Sequence, residues 1–492
     1  MSRSHLRYLA AVGLLALVAF TIRAVSLDAQ SLWRDEVDAL RFATAPWSEM
    51  LATFTRPGWN GPLYFLLLRG WITLTGTSEY AMRFFSLTFG VLCVPLVYVL
   101  GCRLFNRPVG LFAALLVATS PYLTWYGQEV KMYTLVPALA LSAIYGLRRA
   151  IGGAGWQWWA VQVVATSLAF YSHILAALLI PVQILLYLAW WPRSRKQWIG
   201  ALVSLACLTL PYLPLVVWQA PLVLRARETG FYPYSLGEMA RILLNGWSMG
   251  MLGWGWPWGT ILVGTLAVWG LVSSIFPFKR RRRPGTSRDC FALVGWLVTP
   301  LLAVWLISLW QPLFTDRYLI WAAPAFYLLV AIGLASLWRF EGWGYWAVAL
   351  LLSVILTFNG VNLWQQAAVP IKSDFRAAAA YVAEHRTCDE LIIFQIPYGK
   401  YTFDYYFPED EYPWAEGLYT NHRAPDGSYL MSEQEAAHYM QEMTAGYDAI
   451  WLIATETAMW DERGLVQAWL EANAQRVDEA HFAQVDVYRY VR

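Results

Sequence analysis

Gly61-Pro62-Leu63-Tyr64-Phe65-Leu66-Leu67-Leu68-Arg69-Gly70-Trp71-Ile72-Thr73-Leu74-Thr75-Gly76 is the stretch on which the fold turns. It is apolar, but it is short and carries Arg69 at its middle, whereas a helix crossing a bilayer needs about 20 predominantly apolar residues. Eleven other stretches come closer to that requirement: 6–25, 81–101, 109–126, 132–147, 158–171, 174–191, 199–218, 257–277, 291–310, 318–338 and 343–363. If 61–76 also crossed, every loop after it would change sides. Basic residues in short loops mark the cytoplasmic face. Without a span at 61–76, Arg103/Arg107, Arg148/Arg149, Arg193/Arg195/Lys196, the run Lys279-Arg280-Arg281-Arg282-Arg283 and Arg339 all share the side of the N-terminus. The expected arrangement is therefore eleven spans, with 61–76 a half-buried helix at the outer interface. The N-terminus lies inside and the C-terminus outside.

Composition agrees with a polytopic membrane protein. Hydrophobic residues make up 58% of the 492 and charged ones 14%, more apolar surface than a soluble domain of this size would hold. The 29 Trp and 28 Tyr suit belts at the ends of many spans. No soluble stretch combines basic and aromatic residues, so nucleic-acid binding is not supported. The five cysteines, Cys93, Cys102, Cys207, Cys290 and Cys388, form neither a disulfide framework nor a CxxC metal spacing. Arg3 and Arg7 precede an apolar run with no small-residue cleavage site after it, which reads as an uncleaved first span.

Sorting the loops gathers chemistry at one face. Asp35/Glu36, Asn60-Gly61-Pro62, Ser78-Glu79, Gln128-Glu129-Val130-Lys131, His173 and Asp316-Arg317 all fall outside. Ionisable groups at a membrane face are costly to desolvate, so their convergence points to a working site. A transporter places such groups near the midplane on broken helices; here they sit at span ends. After residue 363 the hydropathy drops. Helices are expected at 373–385, 432–443 (opened by the capping box Ser432…Glu435) and 465–474, and strands at 390–396, 447–454 and 480–491. This alternation reads as a small α/β domain. It contains no GxGxxG and no GxxxxGK[ST], so no nucleotide site is read in it. The expected division is a membrane domain over 1–365 and an extracytoplasmic α/β domain over 366–492.

The order of the outer-face features resembles the polyprenyl-phosphate-dependent glycosyltransferases of the GT-C superfamily. More narrowly, it resembles glycosyltransferase family 39, which includes protein mannosyltransferases and aminoarabinose transferases. Trp33-Arg34-Asp35-Glu36 looks like the acidic pair of the family's first external loop, and Asn60-Gly61-Pro62-Leu63-Tyr64 like its His-Pro-Pro-Leu-Tyr segment. Ser78-Glu79-Tyr80-Ala81-Met82-Arg83 is similar to Ser-Glu-x-Ala-x-Arg, and Gln128-Glu129-Val130-Lys131-Met132-Tyr133 to Gln-Glu-x-Arg-x-Tyr. Tyr171-Ser172-His173 and Arg317-Tyr318 match further short signatures. Asn60-Gly61 replaces the usual His-Pro, and Lys131 stands where Arg is common.

The resemblance implies transfer of a sugar from a polyprenyl-phosphate donor to an extracytoplasmic hydroxyl of a glycolipid, polysaccharide or protein, by single displacement with inversion. A phosphate leaving group departs without a strong general acid, whereas the acceptor hydroxyl needs a carboxylate to take its proton. Asp35 is the candidate base on position and by resemblance. Glu36 is placed beside it to orient the loop or bind acceptor, the alternative being a helix-start or salt-bridge role. Arg317 and Lys131 are the candidates for the departing phosphate, since fixed positive charge in a water-poor site stabilises it most. Asn60, Glu129, Tyr133, His173 and Tyr318 complete the expected substrate-binding set. No cofactor is evident and no His/Cys/Asp cluster has metal-ligand spacing; a divalent cation bridging Asp35 and phosphate is compatible with these residues but unsupported by them. A lipid-linked sugar transporter or flippase and a membrane-anchored envelope scaffold are the competing readings. The chain has few deep ionisable groups for the first, and the second has no use for Asp35/Glu36 beside a phosphate-binding Arg.

Overall fold

The computed structural model describes residues 3–54, 60–191, 194–214, 217, 231–275, 287–340, 342–387, 389–424 and 426–492. Lys279 to Arg283, on which the sidedness rests, and Cys388 lie outside the described residues, as do the last residues of the expected spans 199–218 and 257–277. The chain forms two compact units. One comprises Met1–Leu27 and Phe42–Gln366, the other Asp28–Arg41 and Ala367–Arg492. The expected boundary at 365/366 left Asp28–Arg41 with the membrane part. In the structure that segment clusters with the second unit.

The first unit is helical. Among the described residues, six helices are long and apolar enough to cross a membrane: Leu6–Val25, Glu79–Leu104, Trp258–Ile275, Ser287–Ser308, Asp316–Leu337 and Trp343–Ala368. A seventh results if the bent pair Arg107–Thr119 and Pro121–Gly127 is counted as one. The expected eleven also counted the regions of Leu135–Ile151, Trp156–Ser172, Ile174–Trp190 and Arg195–Thr209. These helices are shorter, at 17 residues or fewer each. Leu63–Thr75, the helix within 61–76, has 13 residues. At 1.5 Å per residue that is about 20 Å, short of a roughly 30 Å hydrocarbon core. It buries Tyr64, Phe65, Leu68 and Ile72 and exposes Leu74.

The helix Ala323–Leu337 is buried almost all round, as its lack of any charged residue requires. Its crossing with Trp258–Ile275 is tight because two glycines face each other. A Cβ on Gly270 would sit 2.1 Å from the Leu329 carbonyl oxygen, and one on Gly333 2.3 Å from that of Leu266. Small residues let backbones approach where lipid offers no hydrophobic driving force. The expected span 109–126 is bent by 56° between Thr119 and Pro121. Pro121 has no N–H, so the Val117 carbonyl loses its helical partner. The Arg23 guanidinium replaces it, donating to Val117 O at 3.2 Å and Ala118 O at 3.0 Å.

The second unit is a five-stranded sheet of order β2-β1-β3-β5-β4, with β1 Leu391–Phe394, β2 Trp414–Glu416, β3 Ala449–Ala454, β4 Gln475–Phe482 and β5 Val485–Val491. β2, β1 and β3 run parallel; β5 is antiparallel to β3, and β4 to β5. Strand periodicity splits the core in two. Ile392, Phe394, Trp451, Ile453, Val485 and Val487 face the helix Phe375–His385, while Leu391, Ile393, Ile450, Leu452 and Tyr490 pack with Met440, Val466 and Leu470 of the helices on the other side. The capping box Ser432…Glu435 is present. Strand β2 was not expected, and the stretch 480–491 read as one strand is the end of a hairpin that turns at Ala483-Gln484.

Candidate active site

In the first unit the expected residues sit at breaks between helices. Asn60 precedes the helix Leu63–Thr75, and its Oδ1 accepts the Ile174 N–H at 3.2 Å. A Cβ on Gly61 would lie 2.1 Å from the Tyr171 carbonyl oxygen. Only glycine therefore seats Asn60 so closely on the break that carries His173. The His173 ring is buried, and its Nδ1 accepts the Leu175 N–H at 3.2 Å. Burial first, and then the charges of Arg317 and Lys131, push His173 down to about 3. The imidazole is thus neutral at pH 7 with its proton on Nε2, a hydrogen-bond donor rather than an acid.

Aromatic rings connect these residues. The His173 ring centroid lies 5.0 Å from Tyr318 and 6.4 Å from Tyr133. The Arg317 guanidinium is 5.8 Å from the Tyr133 ring, and Tyr133 packs on Tyr126 at 5.4 Å. Arg317 and Tyr318 lie on the 3-10 turn Asp316–Ala322 leading into the central helix. Lys131 and the buried Glu129 share the non-helical link between Pro121–Gly127 and Leu135–Ile151, where the Lys131 N–H donates to the Glu129 carbonyl at 2.8 Å. The structure thus gathers Asn60, Lys131, Tyr133, His173, Arg317 and Tyr318, with Glu129 on the same link as Lys131. Asp316 belongs with them: its Oδ2 accepts the Tyr126 hydroxyl at 3.0 Å. Its position next to Arg317 was the one signal available, and its tyrosine partner lies 190 residues away.

Asp35 and Glu36 belong to the second unit. They open the helix Arg34–Thr44, whose first carbonyl partner is Trp33, accepting from the Glu36 and Val37 N–H groups at 3.0 and 3.2 Å. Glu36, the third helical residue, reaches back to the Trp33 N–H at 3.4 Å, half of a capping box. The same oxygen accepts from Lys372 Nζ at 2.8 Å, with both side chains buried. Glu36 therefore has both features of the helix-start and salt-bridge reading. Asp35, half-buried at the second helical position, lies where the helix dipole favours a carboxylate. Arg34 stacks on Tyr398 at 3.6 Å, and Arg41, two turns on, stacks on Tyr401 at 3.4 Å. The Leu32 N–H donates to the Tyr406 hydroxyl at 2.6 Å and Ser31 Oγ to Ser373 O at 2.7 Å. Lys372 had no sequence signal, since the partners are 336 residues apart. Among the described residues no three His, Cys, Asp or Glu side chains gather as metal ligands would.

Residues 56–218 match the family described as dolichyl-phosphate-mannose-protein mannosyltransferase. No curated protein sequence matches the chain. Among solved structures, ArnT from Cupriavidus metallidurans in the apo state is 13% identical, with 97% of each chain covered and a TM-score of 0.61. The same protein bound to undecaprenyl phosphate matches over the same shares at 13% identity and a TM-score of 0.57. The Archaeoglobus fulgidus oligosaccharyltransferase in complex with Zn and sulfate is 14% identical over 97% of this chain and 72% of that one, with a TM-score of 0.59. At such identities the likeness is one of fold. The chain has the fold of the GT-C membrane glycosyltransferases.

Proposed function

We propose that this chain is a multi-pass membrane glycosyltransferase that moves a sugar from a polyprenyl-phosphate donor to an acceptor hydroxyl outside the cytoplasm, with inversion. The N-terminus is cytoplasmic and the second unit extracytoplasmic. The observation that carries the reading is the cluster of the buried His173, Tyr133, Tyr318 and Arg317, with Lys131 close enough to bear on the same imidazole. Two cations beside a water-poor aromatic wall suit an anionic headgroup, where fixed charge acts far more strongly than in water. Arg317 grips phosphate oxygens as a fork and Lys131 acts as a point charge. The neutral His173 and the ring of Tyr133 contact the sugar or its phosphate.

The reaction follows from those roles. The acceptor oxygen bonds to the sugar's anomeric carbon as the bond from that carbon to the phosphate oxygen breaks. Asp35 takes the hydroxyl proton, and polyprenyl phosphate leaves with the electron pair. The match of residues 56–218 to a family of dolichyl-phosphate-mannose users supports a lipid-phosphate donor, and the fold shared with ArnT bound to undecaprenyl phosphate is consistent with one. The test uses purified full-length protein in nanodiscs with a radiolabelled polyprenyl-phosphate sugar, following release of polyprenyl phosphate. Arg317→Ala should abolish most donor use and Arg317→Lys should restore only part. Wild-type turnover in Arg317→Ala would remove the residue from the site.

A further inference from the structure

The parallel strands β2, β1 and β3 end at one edge of the sheet, and in open α/β sheets that carboxyl edge is where ligands bind. The loops leaving it carry aromatic rings: Tyr398 follows β1, Tyr419 follows β2 and Trp460 follows β3. The Trp460 ring lies 4.6 Å from Tyr419 and 6.1 Å from Tyr398, centroid to centroid. Tyr419 is 40% exposed. The rings are held in place, because the two outer loops are bonded to each other. The Thr420 N–H donates to Trp460 O at 2.9 Å, Asn421 Nδ2 to Ala458 O at 2.9 Å, and the Glu462 N–H to Asn421 Oδ1 at 2.8 Å. Glu456 completes the surface, exposed, with its carboxylate accepting the Tyr398 hydroxyl at 3.1 Å.

Charge decides what such a surface would take. The nearby cations already have partners: Arg34 stacks on Tyr398 at 3.6 Å and lies 3.9 Å from Asp38, Arg423 pairs with Glu462 at 2.6 Å, and Arg463 donates to the Thr420 and Met431 carbonyls at 3.1 and 2.8 Å. A phosphate would need donors that these groups use elsewhere. Flat ring faces beside a carboxylate acceptor suit instead an uncharged ligand with apolar C–H faces and hydroxyl donors. We infer that this edge binds a carbohydrate, the glycan portion of the acceptor. The inference rests on the transferase reading above for the word acceptor, and on the surface alone for the word carbohydrate. Arg34 links the two, since it covers Tyr398 at 3.6 Å and directly precedes Asp35.

The test is binding of fluorescently labelled full-length protein in nanodiscs to an array of defined oligosaccharides built from hexoses, pentoses and amino sugars, with Ser/Thr-rich peptides on the same slide. Wild type should bind at least one glycan class. Tyr419→Ala should weaken that binding by roughly 2- to 12-fold, the range for losing one aromatic contact. Trp460→Phe, which keeps a ring in the cluster, should lose less than Trp460→Ala. Tyr439→Ala, at an exposed tyrosine on another part of the unit, should leave binding unchanged. Failure to bind any glycan, equal binding by Tyr419→Ala, or peptide binding that the same substitutions abolish would each overturn the inference. Donor cleavage measured on the same preparations reports separately on the transferase reading, so either can fail without the other.

Discussion

Glu36 and Lys372 offer the cleanest separation of a structural role from a catalytic one. Their charged atoms are 2.8 Å apart, with side chains 0% and 4% exposed. At an effective dielectric of about 20 the pair attracts by about 6 kcal/mol, and much of that offsets the cost of removing both charges from water. The expected net effects follow. Glu36→Met or Lys372→Met alone leaves the other charge buried without this partner and should cost about 3–5 kcal/mol, whereas the double substitution should come within about 1–2 kcal/mol of wild type. The coupling energy from the cycle should thus be several kcal/mol, far above the roughly 0–1 kcal/mol of a solvent-exposed ion pair. Thermal and denaturant unfolding of the four full-length proteins in one detergent measures it. The same four proteins assayed for transfer then assign the role. A double variant that is stable and active makes Glu36 a positioning residue for the helix bearing Asp35; one that is stable and inactive makes Glu36 part of the chemistry. A coupling below 1 kcal/mol would refute the claim that the pair holds that helix.

Asp35→Asn should lower transfer by roughly 10²- to 10⁴-fold, the usual loss for a general base, with donor binding retained; near-normal turnover shifts suspicion to Glu129. His173, with its folded pKa depressed to about 3, binds fewer protons than an unfolded-state His near 6.5. Its neutral burial thus contributes stability fully above about 6.5, and this declines as pH falls toward 3. Nitrogen-15 shifts of His173 should stay fixed between pH 5 and 8, and a midpoint in that window contradicts the buried cationic surroundings. Gly61→Ala should lower the unfolding free energy by the roughly 1–3 kcal/mol of an overpacked contact, and the unfolding midpoint with it, while Gly70→Ala, with nothing within 4 Å of its added carbon, should not. Equal midpoints would mean that the Asn60 segment does not sit on Tyr171 as described.

Much of the fold was legible because hydropathy acts over long windows. The apolar runs found helices, and the shortness of 61–76 reappears as a helix of 13 residues. The bend at Pro121 was missed because an apolar window averages across a missing N–H, although Ser120-Pro121 marks the place. Strand β2 has three residues, too few for a period to register. The β4–β5 hairpin turns at Ala483-Gln484, with Gln484 at φ 54°, and it has none of the glycine or asparagine that normally announces such a turn. In the site, order along the chain placed Asn60, Lys131, His173 and Arg317 in one neighbourhood, because each follows or precedes a helix end. The partners that decide roles, Tyr126 for Asp316 and Lys372 for Glu36, are long-range and invisible to spacing.

The grouping of Asp28–Arg41 with the C-terminal unit reflects the partners of the short helix whose first eight residues it holds. Arg34–Thr44 has 11 residues, and a helix of that length is marginal in water without tertiary contacts. Those contacts are supplied from far along the chain. Gln30 exchanges hydrogen bonds with Val369 and Ile371 at 2.8 and 2.9 Å, Arg376 donates to Asp28 O at 3.0 Å, and Tyr398, Tyr401 and Tyr406 receive Arg34, Arg41 and the Leu32 N–H. The helix that opens with Asp35 is thus tied to residues 369–406, although it lies just past the first apolar helix in sequence.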